Sequence, residues 1–187
     1  GFAAVVVNPG YVSFASKLLK GSGVLACTVI GFPLGANTPE VKAYEAENCL
    51  RNGAEELDMV MNIGALKSRN LDLVRTDLAG VIRVTKARRA LTKVIIETCY
   101  LSREEKVNAC RLVLESRADF VKTSTGFGSA GATVEDVRLL KELVGNKIGV
   151  KASGGIRTYQ DALKLVEAGA TRIGASAGVQ ILSEAPE

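Results

Sequence analysis

The chain has 187 residues, of which 47% are apolar, with 19 glycines, no tryptophan, no histidine and a formal net charge of +4. That length suits one domain with a sizeable core. The lack of histidine excludes Ser-His-Asp and Cys-His catalysis, and it argues against a zinc site built from His and Cys.

Ala3–Val7 is an apolar, β-branched run stopped by Asn8 and Pro9, and the pattern predicts a strand. Helical spacing follows over Tyr11–Lys20 and ends at Gly21 and Gly23. Leu25–Ile30 reads as a second strand closed by GFPLGAN, and Thr38 with Pro39 opens a helix running to Gly53. Glu56–Met61 is the third predicted strand, Leu71–Ala87 a helix and Lys93–Thr98 the fourth strand. Ser102 with Glu105 makes a capping-box start for the next helix. Phe120–Ser124, Ile148–Ser153 and Arg172–Ser176 complete the strands. They alternate with helices over Thr133–Val144 and Thr158–Ala168 and a short one after Gly178.

The densest basic cluster, Arg83, Lys86, Arg88, Arg89 and Lys93, has no interleaved aromatics. It reads as a solvated helix face rather than a nucleic-acid surface. No stretch is long and apolar enough for a membrane span, and the N-terminus lacks the basic region of a signal peptide. Cys27, Cys49, Cys99 and Cys110 form no CxxC pair and read as reduced core residues of a cytosolic protein.

Seven strands alternating with seven helices predict an α/β fold with a parallel sheet and right-handed crossovers. No GxGxxG follows the first strand, and polar residues collect at the C-terminal ends of many strands: Asp58, Asn62, Glu97, Lys122, Lys151 and Ser176. This favours a TIM (β/α)8 barrel over an open doubly wound sheet, with seven of its eight strands visible. The expectation is a single barrel domain over residues 1–187 whose first strand and flanking helix lie upstream. The barrel fold usually takes roughly 250 residues.

Three ionisable residues fall inside predicted strands: Asp58 in ELDMVM, Lys122 in FVKTST and Lys151 in GVKASGG. Burial disfavours an ammonium ion, and a neutral lysine is a nucleophile that forms a Schiff base with a carbonyl. A charged Lys151 nearby would favour a neutral Lys122, and Asp58 could hold Lys151 and pass protons. Gly126, Gly154, Gly155 and Gly174, with Ser176, sit where barrels bind phosphate through backbone N–H groups. Tight strand-to-helix turns need glycine as well.

Six segments are similar to the deoxyribose-phosphate aldolase family: CTVIGFPLG (Cys27–Gly35), ELDMVMNIGAL (Glu56–Leu66), KVIIET (Lys93–Thr98), ADFVKTSTGF (Ala118–Phe127), VKASGGIRT (Val150–Thr158) and RIGASAG (Arg172–Gly178). The match runs in order through nearly the whole chain, and KTSTG together with KASGG carries most of its specificity. The resemblance implies a class I aldolase, without metal or other cofactor, that reversibly cleaves 2-deoxy-D-ribose 5-phosphate to acetaldehyde and D-glyceraldehyde 3-phosphate. By motif, Lys122 would form the Schiff base, Lys151 would tune it and move protons, and Asp58 would be the acid/base. Gly126, Gly154, Gly155, Gly174 and Ser176 would surround the phosphate, and Thr125 is a candidate for touching the sugar. The partner would be a small phosphorylated sugar, with no nucleic acid and no membrane. The protein would be a cytoplasmic homo-oligomer, dimer or tetramer.

The chain departs from the family in two ways. The usual N-terminal helix and first strand, with an Asp-His-Thr-like motif, are not in these residues, and Phe127 stands where some members carry a lysine. A barrel lacking its first strand would have two unpaired edges. The alternatives are another phosphate-binding barrel aldolase or synthase, and a non-catalytic folding or assembly fragment of the aldolase.

Overall fold

The computed structural model describes residues 1–186. They divide into two compact units, Gly1–Val94 with Ser116–Asp119, and Ile95–Glu115 with the chain from Phe120.

In the first unit, β1 (Ala4–Val7), β2 (Leu25–Ile30), β3 (Glu56–Val60) and β4 (Leu91–Ile95, all but its last residue) lie side by side in chain order. The β1–β2 and β2–β3 pairs are parallel, with Cys27 beside Glu56 and Val29 beside Asp58. Helices α1 (Val12–Leu19), α2 (Pro39–Arg51), α3 (Ile63–Lys67) and α4 (Leu71–Ala87) connect them. β3 is buried at every residue and β2 at all but its first. Such continuous burial belongs to a parallel strand covered on both faces. β1 is more open, with Val5 and Val6 exposed. α4 turns Val74, Leu78, Val81 and Ile82 inward, an amphipathic spacing, and packs on α2. Asn70 caps α4 through the Leu73 N–H, and Thr38 caps α2 with Pro39 at the first helical position.

The second unit contains α5 (Arg103–Ser116, but for its last residue), β5 (Phe120–Lys122), α6 (Val134–Val144), β6 (Gly149–Ser153), α7 (Tyr159–Glu167), β7 (Arg172–Gly174) and α8 (Gly178–Ser183). β5–β6 and β6–β7 are parallel pairs. Ser102 and Glu105 form the expected reciprocal cap of α5, and Thr158 with Asp161 forms another at α7.

Boundaries shift by a residue in several elements, and four differences from the sequence reading bear on the site. Residues after β3 wind into α3, because the Asn62 side chain caps them through the Ala65 N–H. β4 spans Leu91–Ile95 rather than Lys93–Thr98, since Glu97 takes a left-handed backbone (φ 51°) that no strand continues through. β5 stops at Lys122, and β7 stops at Gly174, which leaves Ser176 in an exposed turn. Among the described residues, no helix is long and apolar enough to cross a membrane.

Candidate active site

The ladder of the second unit puts alternate residues on one face. Phe120 and Lys122 of β5, Gly149, Lys151 and Ser153 of β6, and Arg172 and Gly174 of β7 share that face, while Val121, Val150, Ala152 and Ile173 occupy the other. Gly149 has no side chain because Phe120 fills its place: a Cβ there would lie 2.2 Å from the Phe120 ring. The Arg172 guanidinium stacks 5.5 Å above the same ring.

One layer further along, Lys122 and Lys151 are register partners, 6% and 4% exposed. Neighbouring strands lie about 4.8 Å apart, so the two amines leave the sheet side by side. Gly174 makes room for the second of them, since a Cβ there would come within 2.9 Å of Lys151 Cε and 3.7 Å of its Nζ.

Just past the lysines, side chains continue the ladder. The Thr123 hydroxyl donates to the Ser153 carbonyl (3.2 Å) and accepts from the Ser153 N–H (3.1 Å), and the Ser153 hydroxyl donates to the Ser124 carbonyl (2.6 Å). The glycine loops then meet backbone to backbone. Ala132 N–H donates to the carbonyls of Ser153 and Gly154. A Cβ on Gly154 would lie 2.9 Å from Gly131 Cα and 3.5 Å from Gly126 Cα. Gly126, Gly154 and Gly155 all have positive φ (89°, 87° and 77°), and at Gly126 and Gly155 a Cβ would meet nothing within 4 Å. Open space therefore borders a run of backbone that only glycine adopts without strain. The structure brings Gly126 and Gly154 together and sets Lys122, Lys151 and Gly174 in one cluster.

Glu97 belongs to this unit and is 2% exposed. Its carboxylate accepts from the Thr125 N–H (3.2 Å to Oε1, 3.3 Å to Oε2) and from the Thr125 hydroxyl, which itself accepts from the Phe127 N–H (3.0 Å). The hydroxyl considered for sugar contact is thus engaged within the loop.

Asp58 lies in the first unit, fully buried in β3. Its Oδ1 accepts from Lys93 Nζ (2.9 Å) and from the Cys27 thiol (3.4 Å), and Lys93 also reaches Glu56 (2.6 Å). Lys93 is 0% exposed, which corrects its assignment to a solvated basic face. Burial opposes its charge, but Asp58, with Cys27 and Glu56, outweighs that and holds the ammonium above its ordinary range. The signal was in the sequence: Glu56 and Asp58, two apart on one strand, share a face and need a cation.

A second buried pair joins α2 to α4. Lys42 Nζ donates to Asp77 (2.7 Å) and to the Val60 carbonyl (2.9 Å), and Asp77 also accepts from the Asn62 N–H (3.2 Å). Burial lowers Lys42 and raises Asp77, each against the pull of its partner. The carbonyl of Val60 and the N–H of Asn62 thus fix the chain just past β3, and neither residue of the pair was singled out from sequence. Cys27, Cys49 and Cys110 are buried as expected, but Cys99 is partly exposed.

A family model described as DeoC/LacD family aldolase matches residues 1–184. A deoxyribose-phosphate aldolase of Enterococcus faecalis is 60% identical over 98% of this chain and 83% of its own length. One of Lysinibacillus sphaericus is 59% identical over 97% of this chain and 81% of its own. A solved structure, titled as a unique tetrameric deoxyribose phosphate aldolase from Aeropyrum pernix, is 38% identical. It superposes with a TM-score of 0.91, covering 98% of this chain and 77% of that one.

Proposed function

Because this chain belongs to the DeoC/LacD aldolase family, among its deoxyribose-phosphate aldolases, we propose that Lys122 carries the Schiff base of their class I reaction. The fold is the α/β barrel of those aldolases, with seven strands in this chain. The substrate is 2-deoxy-D-ribose 5-phosphate and the products are acetaldehyde and D-glyceraldehyde 3-phosphate.

The observation that carries the assignment of roles is the pairing of two nearly buried lysines in one register layer, next to open glycine loops. Burial and a neighbouring cation are the conditions under which a lysine amine serves as a nucleophile. The Lys122 amine adds to the C1 aldehyde, and loss of water gives an iminium. Its nitrogen takes up the electron pair as C2–C3 breaks, while the C3 hydroxyl gives up its proton and becomes the aldehyde of glyceraldehyde 3-phosphate. The enamine left on Lys122 gains a proton at C2, and water releases acetaldehyde. Lys151, as the register neighbour of Lys122, and Asp58, held by Lys93, are our assignments for those proton transfers. Gly126, Gly154, Gly155, Gly174 and Ser176 are assigned to the phosphate. We read the whole as one barrel domain of a cytoplasmic homo-oligomer, the A. pernix relative being titled a tetramer.

The test is borohydride reduction in the presence of acetaldehyde, followed by peptide mass spectrometry, with Lys122→Ala as control. A stable two-carbon adduct at Lys122, absent from the variant, is the expected result. A folded protein that gives no adduct, or one that persists in Lys122→Ala, would overturn the assignment.

A further inference from the structure

We propose that Glu97 is a positioning residue for the phosphate end of the substrate, acting through Thr125 on the turn from Thr125 to Gly128. The proposal rests on the phosphate-site reading given above and adds to it a residue that does not touch the phosphate.

Four observations converge on Glu97. It sits at φ 51°, ψ 70°, in the left-handed region that side chains other than Gly, Asn and Asp rarely enter. Its carboxylate is 2% exposed, so it is committed to protein partners. Both of its oxygens face Thr125, taking its N–H and its hydroxyl, and Oε1 also accepts from the Cys99 thiol at 3.9 Å. The hydroxyl passes the constraint on by accepting from the Phe127 N–H at 3.0 Å.

The far side of the turn docks on the same spot. A Cβ at Gly128 would lie 2.7 Å from Cys99 Sγ and 3.2 Å from the Glu97 carboxyl. Glu97 and Cys99 therefore hold the turn at both its ends. Below it, the Ile96 N–H bonds the Lys122 carbonyl (3.0 Å) and the Thr98 N–H bonds the Thr123 carbonyl (2.9 Å), which keeps the Glu97 segment in register with the lysine strand.

The result is a sorting of donors. The N–H groups of Thr125 and Phe127 are consumed inside the turn, whereas the Gly126 N–H has no partner among the described residues and its Cβ position faces open space. A buried carboxylate repels a phosphate at contact distance, but from behind the turn it can hold Gly126 in a shape that offers its N–H to an anion. Glu97 therefore governs binding of the phosphorylated substrate and not the chemistry at Lys122.

The experiment compares kcat and KM for 2-deoxyribose 5-phosphate and for unphosphorylated 2-deoxyribose, alongside acetaldehyde trapping at Lys122. Three variants are used. Glu97→Asn tolerates the left-handed backbone but is too short to reach Thr125. Thr125→Val removes the hydroxyl and leaves Glu97 untouched, so the question stays answerable even if Glu97→Asn fails to fold. Glu97→Gln keeps the length and one acceptor. Loss of these charge-assisted bonds is expected to lower kcat/KM for the phosphorylated substrate by about 10- to 100-fold, mostly through KM. Turnover of 2-deoxyribose and trapping at Lys122 stay within about 3-fold of the parent, and Glu97→Gln recovers most of the loss. Equal losses on both substrates would reduce Glu97 to a purely structural role and overturn the proposal, as would an unchanged KM. A parent enzyme that handles both sugars alike would overturn the phosphate site itself, and this proposal with it. A parent that prefers the phosphate, with variants that keep the preference, overturns the role of Glu97 alone.

Discussion

Replacing Lys42 with methionine keeps most of the aliphatic stem and removes the ammonium that bridges Asp77 and the Val60 carbonyl, both at hydrogen-bond distance. Both side chains of the ion pair are 0% exposed, so water does not take the place of the lost partner. Asp77 keeps the Asn62 N–H at 3.2 Å, which is one donor for a buried charge. Removing one member of such a pair costs about 3–5 kcal/mol, against a total of roughly 5–15 kcal/mol for an ordinary domain. For a chain of this length that corresponds to a fall in melting temperature of about 10 °C. Asp77 already sits above its ordinary range through burial, opposed by Lys42, and the variant removes the opposition. A carboxyl raised in the folded state is least harmful below its unfolded value near 3.9 and most harmful above its folded value. The gap between parent and variant should therefore narrow as pH falls from 8 toward about 5. Urea unfolding at both pH values measures this. The double variant Lys42→Met with Asp77→Leu should recover at least half of the loss, though the Val60 carbonyl and Asn62 N–H stay orphaned. A single-variant change below about 1 kcal/mol, or a double variant no better than the single, would refute the reasoning.

Two further expectations follow from the same kind of contact. Lys93 is held above its ordinary range, so its stabilising contribution is intact below its unfolded value of 10.5 and fades as pH rises past it; Lys93→Met should be the less stable protein at pH 8, and the gap should shrink by pH 11.5, whereas a constant gap across that range would count against the ion cluster. Gly131→Ala places a methyl 2.0 Å from the Gly154 carbonyl oxygen, which is backbone and yields only by displacing its turn; KM for the phosphorylated sugar should rise about 10-fold or more, from strain of roughly 1–3 kcal/mol, while acetaldehyde still traps at Lys122, and an unchanged KM would show that the loop contact does not matter.

The strands that a reader finds in the sequence are those whose burial is continuous, as in Leu25–Ile30 and Glu56–Val60. α4 was found with both its boundaries because its inward residues repeat cleanly between Asn70, whose side chain caps it, and the basic residues Arg88 and Arg89 that follow it. What stayed hidden depends on partners far along the chain. KVIIET looks like one apolar strand, and nothing local says that Glu97 will turn left-handed to meet Thr125. Lys93 follows a run of solvated cations and borrowed their interpretation, although Glu56 and Asp58 were waiting on another strand. The two lysines and the glycines of the loops were legible because each departs from what a buried strand or ordinary loop would choose. Gly131 was not, since its reason for being glycine is the backbone of Gly154.

The reciprocal bonding of Thr123 and Ser153 has a consequence for inheritance as well as for stability. The Thr123 hydroxyl gives to the carbonyl and takes from the N–H of Ser153, and the Ser153 hydroxyl gives to the Ser124 carbonyl, so each hydroxyl meets backbone that any residue but proline supplies in full. In a chimera that takes KTSTG from one relative and KASGG from another, or in a library that randomises one motif at a time, each hydroxyl therefore finds its partners whatever side chain the other motif brings. The two motifs can be exchanged separately, and single-site scans at 123 and 153 should add up to the effect of varying both together.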